Sequence, residues 1–134
     1  MTTEIYLTNI LQHIMRLRRE LGWQSEKMLV CAILLELRMN TKQPGFEYLC
    51  SAITLYRQNP SQLITKELYP SVARGCRSHV EPGAVERAIR FAIDATYRNR
   101  DAELWALYFG GDGKPSNTEF ISRLARLIDL CMEV

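Results

Sequence analysis

Three charged side chains lie close together in a predicted helix, at spacings that suit the recognition of base edges in DNA. Glu86, Arg87 and Arg90 share one side of a helix that is expected to run over residues 82–98. An arginine guanidinium offers two donors that match O6 and N7 of guanine, and a carboxylate can accept from N4 of cytosine. This combination favours sequence-specific contact in a major groove.

A simpler interpretation of the same residues stays open. Glu86 and Arg90 are four positions apart in the favourable orientation, so they could form a surface ion pair worth about a few tenths of a kcal/mol. Phe91 lies on the same predicted face, where it could pack on a thymine methyl group or be an ordinary surface aromatic.

The predicted helix also has an apolar face that can anchor it to a core. Residues at spacings of three and four form this face: Val85, Ala88, Ile89, Ala92, Ile93 and Thr96. A shorter helical segment opened by Pro70 precedes it, with a turn at Arg77, Ser78 and His79. Two helices joined by a turn, with arginines facing outward from the second, are the layout of a helix-turn-helix.

The rest of the chain predicts an all-α protein, a compact multi-helix domain that contains the helix-turn-helix. Apolar residues recur with helical periodicity, and we find no convincing alternating strand. Further helices are expected over about 3–21, 26–37, 46–58, 61–69, 102–109 and from 117 onward. The residues expected to begin or end them are Gly22, Ser25, Ser61, Asp101 and Ser116, the last with Glu119 at capping-box spacing.

The first helix carries a stripe with the spacing of a coiled-coil seam. Its members follow one another at intervals of three and four: Leu7, Ile10, Ile14, Leu17 and Leu21. Two interpretations stay open, packing against the domain's own core or a dimer contact. The arginines of its far side, Arg16, Arg18 and Arg19, are either solvated or available to phosphates.

The composition is that of one globular domain with little overall charge. The chain has 134 residues, of which 47% are hydrophobic, and a formal net charge of +2. Between Lys66 and Arg100 there are seven basic and four acidic residues, so this window carries +3 and more than accounts for the excess. The positive charge is thus concentrated around the predicted helix-turn-helix.

The cysteines and the apolar runs indicate a reduced, soluble protein. Cys31, Cys50, Cys76 and Cys131 are scattered, without a CxxC pair or a histidine at ligand spacing. We therefore expect no metal, no cofactor and a cytoplasmic location. The longest apolar run, 28–35, falls short of the ~20 residues that a membrane span needs, and the first residues lack a basic leader.

No catalytic arrangement is evident. His13 lies on a polar helix face and His79 in the turn, and neither has a nucleophile or a carboxylate at a persuasive spacing. The glycine-rich loop 110–116 fails as a phosphate-binding loop, because Tyr108 occupies the first glycine position and Pro115 the hydroxyl position. We therefore do not expect an enzyme.

Four ordered blocks of the sequence match those of a known family. They are residues 45–49 (GFEYL) with 52–53, 64–70 (ITKELYP) with 72–73, 85–90 (VERAIR) with 92–93, and 114–121 (KPSNTEFI). On these blocks, the chain from about residue 34 to 130 resembles the C-terminal DNA-binding domain of stage-zero sporulation protein A, the response regulator that governs entry into sporulation in endospore-forming bacteria. The resemblance implies a six-helix effector domain that inserts its recognition helix into the major groove of a short promoter box. It also implies a homodimer on adjacent boxes, at the nucleoid, that activates or represses.

Seven residues flank the predicted recognition helix in sequence or in the layout that the resemblance implies. They are Lys66, Arg74, Arg77, Ser78, Arg98, Lys114 and Asn117. Such side chains commonly contact phosphates and fix the register of a protein on DNA, and their binding releases counterions, so affinity depends on salt. A solvated surface role is the other interpretation for each of them.

The sequence departs from the family pattern at three places. We expect residues 1–22 to form an extra N-terminal helix where the family has a receiver domain, with 23–134 as the effector domain. Gly83 and Ala84 replace the polar or basic residues expected before Val85, and Phe91 replaces a usual histidine. These departures leave a second function open, an interaction module that pairs with a full-length sporulation regulator and has little DNA affinity of its own.

Overall fold

Seven α-helices and one π-helical turn make up the part of the chain that the computed structural model describes, residues 3–22 and 25–132. The helices are α1 (Thr3–Glu20), α2 (Glu26–Glu36), α3 (Pro44–Gln58), α4 (Tyr69–Arg74), α5 (Pro82–Arg98), α6 (Ala102–Phe109) and α7 (Asn117–Met132). The π-helical turn, Ile64–Leu68, leads directly into α4. These ranges contain no strand, so the predicted all-α class is confirmed, and none of their helices is long and apolar enough to cross a membrane.

Helix α3 is the central element and packs against α2, α5 and α7. Its residues Leu49 and Ile53 are fully buried, as are Trp105 of α6 and Phe120 of α7. Burying an apolar side chain of this size contributes about 1.5–3 kcal/mol relative to leaving it exposed. The fold is thus organised around α3, and the position of α5 depends on how closely it seats against α3.

A glycine allows that close seating. Helix α3 begins at Pro44, two residues before the predicted start, because proline fits a first turn where no N–H is needed. Gly45 is buried there and faces α5. A Cβ at position 45 would lie 2.6 Å from the Cβ of Ala92 and closer still to the carbonyl oxygen of Ala88. The two backbones therefore meet at a point where no larger residue fits.

Most of the predicted helix ends are confirmed. The N–H of Met28 donates to Oγ of Ser25 at 3.2 Å, and the carboxylate of Asp101 accepts from two N–H groups in the first turn of α6. Oγ of Ser116 likewise accepts, at 3.1 Å, from the N–H three residues on. Gly22, which follows α1, has a left-handed φ of 69° that suits glycine.

The predicted cap at Ser61 is wrong. Its hydroxyl donates to Oδ1 of Asn59 at 2.8 Å, so it serves the preceding turn rather than a helix start. Helical structure begins later, at Ile64, and the N–H of Leu63 donates to Oε1 of Glu67 at 2.9 Å. The carboxylate of Glu67 therefore caps the start of this element, a function that we predicted for Ser61.

Pro70 lies in the first turn of a helix, as predicted, but no break separates this helix from the preceding helical element. The π-helical turn 64–68 continues into α4, and Pro70 is its second residue. Proline has no N–H to bond to the preceding turn, and the wider π turn ahead of it accommodates the altered bonding without interrupting the helical path. The first helix of the helix-turn-helix is thus one rod over residues 64–74.

Helix α1 packs on α2, α6 and α7 of its own chain. Ile10 and Ile14 are fully buried in this contact. The other members of the stripe are half-buried against the same core: Leu7, Leu17 and Leu21. The stripe therefore packs against the domain's own core, which is the first of the two interpretations, and a dimer contact through α1 stays a prediction. The predicted domain boundary after Gly22 adjoins residues 23 and 24, which lie outside the described ranges.

Candidate nucleic-acid interface

Helix α5 is anchored along one face, as its periodicity predicts. The anchoring side chains are Val85, Ile89, Ala92, Ile93 and Thr96, all of them buried, with Ala88 half-buried. The hydroxyl of Thr96, the only polar member, donates to the carbonyl oxygen of Ala92 at 2.7 Å, so its burial leaves no donor unsatisfied. A helix held in this way presents its opposite face in a fixed orientation.

The opposite face carries the residues predicted to contact bases. Arg87, Arg90 and Phe91 are exposed, and Phe91 retains 54% of its accessible surface. Glu86 is half-buried beside them. All four therefore lie along one accessible strip of α5, although Glu86 is more enclosed than the others.

Two of these residues are joined to each other. Nη2 of Arg90 donates to Oε1 of Glu86, which is the surface ion pair that the spacing allowed. The pair holds Arg90 along the helix, so the donors of Arg90 and the acceptor of Glu86 lie side by side. This contact is compatible with base recognition, since a guanidinium has five N–H donors and the pair uses only part of them.

Arg87 is placed differently. A Cβ at position 83 would lie 3.2 Å from Nη1 of Arg87, so the guanidinium extends back over the first turn of α5. The glycine that departs from the family pattern leaves the space that this side chain occupies. Gly83 and Arg87 therefore belong to one local arrangement at the start of the helix.

Several cations around α5 have no acidic partner. In the described ranges 3–22 and 25–132, no carboxylate forms an ion pair with Lys66, Arg74, Arg77, Arg87 or Arg98, and all five residues are exposed. Arg74 donates to Oγ of Ser71 at 2.9 Å. Guanidinium and ammonium groups in this state are available to phosphate oxygens.

The segment between α4 and α5 spans residues 75–81, so it is longer than the tight turn that we predicted and longer than the roughly 3–4 residues usual in this motif. Gly75 follows α4, and Val80 is half-buried against the core. Arg77, Ser78 and His79 are exposed between these two points. Extra length is accommodated because Val80 fixes the far end of the segment.

Asn117 has a role that the prediction of a phosphate contact missed. Its Nδ2 group donates to the carbonyl oxygen of Glu86 at 3.1 Å and to Oη of Tyr69 at 3.3 Å. Both amide protons are thereby engaged, and the side chain is half-buried. Asn117 therefore joins the start of α7 to α5 and α4, and its contact with a phosphate stays a prediction.

Lys114 remains accessible but is not free. Its Nζ lies 3.0 Å from Oδ1 of Asp94 on α5. Together with Arg90 and Asn117 these residues line a polar groove along the flank of α5, to which the π-helical turn contributes Thr65. Thr65 was not among the predicted contacts, because its proximity to α5 depends on tertiary packing.

The loop that delivers Lys114 to this groove is tightly held. Arg100 donates from Nε and Nη2 to the Asp112 carboxylate at 2.7 and 3.0 Å, and these bonds hold the pKa of Asp112 below its ordinary value. Oη of Tyr97 donates to the carbonyl oxygen of Asp112 at 2.5 Å, and Nε1 of Trp105 donates to that of Gly113 at 3.1 Å. In the sequence, this segment is recognisable only as a glycine-rich loop.

A second polar cluster lies at the junction of α1, α2 and α6. Nε2 of His13 contacts Oε1 of Glu36, and Oη of Tyr108 donates to Oε2 of the same carboxylate at 2.9 Å. Burial, followed by the nearby Glu36 charge, raises the pKa of Tyr108. His13 therefore has the carboxylate neighbour that sequence spacing did not reveal, and the cluster ties α1 to the domain.

One comparison with known proteins bears on this arrangement. The family model described as "Sporulation initiation factor Spo0A C terminal" matches residues 30–128. The matched range contains the helical rod 64–74, the segment 75–81, helix α5, and Asn117, whose side chain bonds to α5.

Proposed function

Because the chain belongs to the family of the sporulation initiation factor Spo0A C-terminal domain, we propose that it binds double-stranded DNA in a sequence-specific manner and regulates transcription from the bound site. The family consists of DNA-binding effector domains of a sporulation regulator and not of enzymes. In our proposal α5 lies in the major groove of a promoter box, and the rod 64–74 crosses the DNA backbone.

The observation that carries this proposal is the exposure of Arg87 and Arg90 on a helix whose opposite face is buried. A rigid helix with two outward guanidinium groups near its start can bring both to base edges, and each bidentate contact to guanine supplies about 1–3 kcal/mol of discrimination. Glu86, held beside Arg90, would accept from cytosine N4, because a carboxylate near phosphates is otherwise unfavourable. Phe91 would cover a thymine methyl group.

The cations without acidic partners support a second part of the proposal, contact with phosphates. Arg74 lies at the end of α4, and Arg77 lies in the segment 75–81 that follows it. Lys66 lies on the π-helical turn, and Arg98 lies at the end of α5. These residues, with Ser78 and Lys114, would fix the register of the protein on the duplex. Lys114 would contribute less than a free cation, because Asp94 already neutralises it.

The test is a fluorescence-anisotropy titration of two labelled duplexes, one with the promoter box recognised by family members and one with the same bases scrambled, at several salt concentrations. We expect tighter binding to the box by at least about tenfold at each salt, from one or more bidentate contacts. Affinity for both duplexes should fall steeply with salt.

Two results would defeat the proposal. Equal affinity for the box and the scrambled duplex would remove sequence specificity, and absence of binding at low salt would remove DNA as the ligand. In either case the interaction-module function would take its place, and a pull-down with a full-length sporulation regulator would then be the deciding measurement.

A further inference from the structure

The thiols of Cys31 and Cys50 meet at the junction between α2 and α3. Their Sγ atoms are 2.6 Å apart, although the residues are 19 positions apart in sequence, and both are free cysteines. A disulfide has an S–S distance of about 2.05 Å, so a further approach of roughly half an ångström joins them. The fold thus brings together two thiols that are scattered in the sequence.

The two thiols differ in access. Cys31 is half-buried, whereas Cys50 is fully buried. Burial, and next the hydrogen bond with Cys31, raises the pKa of the Cys50 thiol, while the ammonium of Lys27 opposes that shift. Cys50 therefore stays protonated at neutral pH, and a solution reagent reaches Cys31 first.

We propose that Cys31 and Cys50 are a modification site, at which hydrogen peroxide converts the two thiols into a reversible disulfide between α2 and α3. This proposal does not depend on DNA binding, since neither residue lies on the outward strip of α5. Cys31 attacks the peroxide, and Cys50 then attacks the sulfenic acid that forms at Cys31.

The steps balance without a further reactant. The Cys31 thiolate attacks one peroxide oxygen, the O–O bond breaks, and the leaving hydroxide takes up a proton to give water and a sulfenic acid at Cys31. Sγ of Cys50 then attacks Sγ of Cys31, the S–O bond breaks, and hydroxide leaves as water with the proton of Cys50. Two thiols lose two electrons, and the peroxide is reduced to two molecules of water.

The bond would close a loop over residues 31–50 that contains the end of α2 and the start of α3. Cross-linking a loop of this length restricts the unfolded chain and raises Tm by about 10 °C for a domain of this size, provided that the helices do not have to move. The short distance between the thiols meets that condition.

The experiment treats the folded chain with hydrogen peroxide and measures intact mass, peptide cross-links and Tm. We expect loss of the mass of two hydrogen atoms, one cross-linked peptide pair containing Cys31 and Cys50, a higher Tm, and reversal of all three by dithiothreitol. Cys31→Ser, checked for folding by circular dichroism, should abolish the mass loss. Cys76→Ser is the matched control, since Cys76 is also half-buried but its thiol donates to the carbonyl oxygen of Val72, and it should oxidise like the wild type.

Three outcomes would overturn the proposal. One is a mass unchanged by peroxide, and another is a cross-link that involves Cys76 or Cys131 instead. The third is a Tm that falls on oxidation, because the bond would then form only by pulling the helices out of their packed positions.

Discussion

Gly45 of α3 faces Ala92 of α5 so closely that a Cβ at position 45 would lie 2.6 Å from the Cβ of Ala92. Real Cβ atoms do not approach other atoms to this distance, and the carbonyl oxygen of Ala88 restricts the site further. The separation between the central helix α3 and helix α5 therefore depends on the absence of a side chain at position 45.

Gly45→Ala should destabilise the fold, because a methyl group forced into this contact must push α5 away from α3. Overpacking of this kind costs about 1–3 kcal/mol, measured as the change in free energy of unfolding in urea. The matched control is Gly111→Ala, where a new Cβ would meet nothing within 4 Å. Equal stability of the two variants would show that α3 and α5 can separate at no cost.

Arg87→Ala should reduce discrimination without affecting the fold. A lost bidentate contact lowers the ratio of affinities for box and scrambled duplexes by about 1–3 kcal/mol, or roughly 5- to 150-fold. Stability should stay within about 0.5 kcal/mol, because no carboxylate of the described ranges pairs with Arg87. Arg126→Ala, a change of an exposed arginine on α7, is the control and should leave the ratio unchanged. Unfolding of the Arg87 variant would mean that its guanidinium is structural.

Arg77 and Asn117 were both predicted to contact phosphates, but the side chain of Asn117 also joins α7 to α5 and α4, so we expect different effects when each is replaced. Arg77→Ala should lower the slope of log affinity against log salt by about one unit and leave stability unchanged, because it removes one phosphate contact. Asn117→Ala should instead cost about 1–2 kcal/mol of stability, because it removes the two hydrogen bonds that join the start of α7 to α5 and α4. A changed salt slope in the Asn117 variant would show that Asn117 contacts a phosphate as well.

Local sequence patterns predicted the elements of this fold well. The two faces of α5 followed from residue spacing alone, and the caps at Ser25, Asp101 and Ser116 followed from side chains that bond to a backbone two or three residues away. Each of these features depends on neighbours in the chain. Pro44 carried a similar signal for the start of α3, since proline favours a first turn, but we assigned it to the preceding loop.

Features that depend on distant residues were missed. Asn117 reaches the backbone of Glu86 across 31 positions, and Tyr108 reaches Glu36 across 72. Periodicity identifies the apolar face of α1, but it does not show whether that face packs against the same chain or against a partner chain. In the structure, Ile10 and Ile14 are buried within the chain. The candidate strip on α5 was therefore predictable, whereas the contacts that position it were not.

Arg38→Gly should stabilise the protein, because Arg38 is the one non-glycine residue of the described ranges with a positive φ, 71°. It follows α2 in a Schellman turn, in which its N–H donates to the carbonyl oxygen of Leu35 and that of Met39 donates to Leu34. Glycine adopts this conformation without steric cost, so we expect a gain of about 0.5–1 kcal/mol in thermal or urea unfolding.

The substitution also removes the contact of Arg38 with Asp101, at 3.8 Å between exposed side chains, which contributes little. Thr41→Gly, in the same connection but without a positive φ, is the control and should lose stability through the greater freedom of its unfolded chain. If Arg38→Gly lost as much stability as Thr41→Gly, the positive φ of Arg38 would not be a source of strain.

Asp112→Asn should change how stability depends on pH in the acid range. Hydrogen bonds from Arg100 hold the pKa of Asp112 below its ordinary value of 3.8 in the folded chain, so the unfolded chain takes up the proton first as pH falls. The stabilisation is therefore complete above the ordinary value and is lost as pH falls through the lower, folded-state pKa. The Tm of the wild type should exceed that of the variant near pH 6, and the two curves should converge towards about pH 2. Glu103→Gln, at an exposed carboxylate of α6, is the control and should not alter the acid dependence in this way. A difference between wild type and Asp112→Asn that stays the same at every pH would show that Arg100 does not stabilise the loop bearing Lys114 through the charge of Asp112, because a lowered pKa requires the difference to vanish in acid.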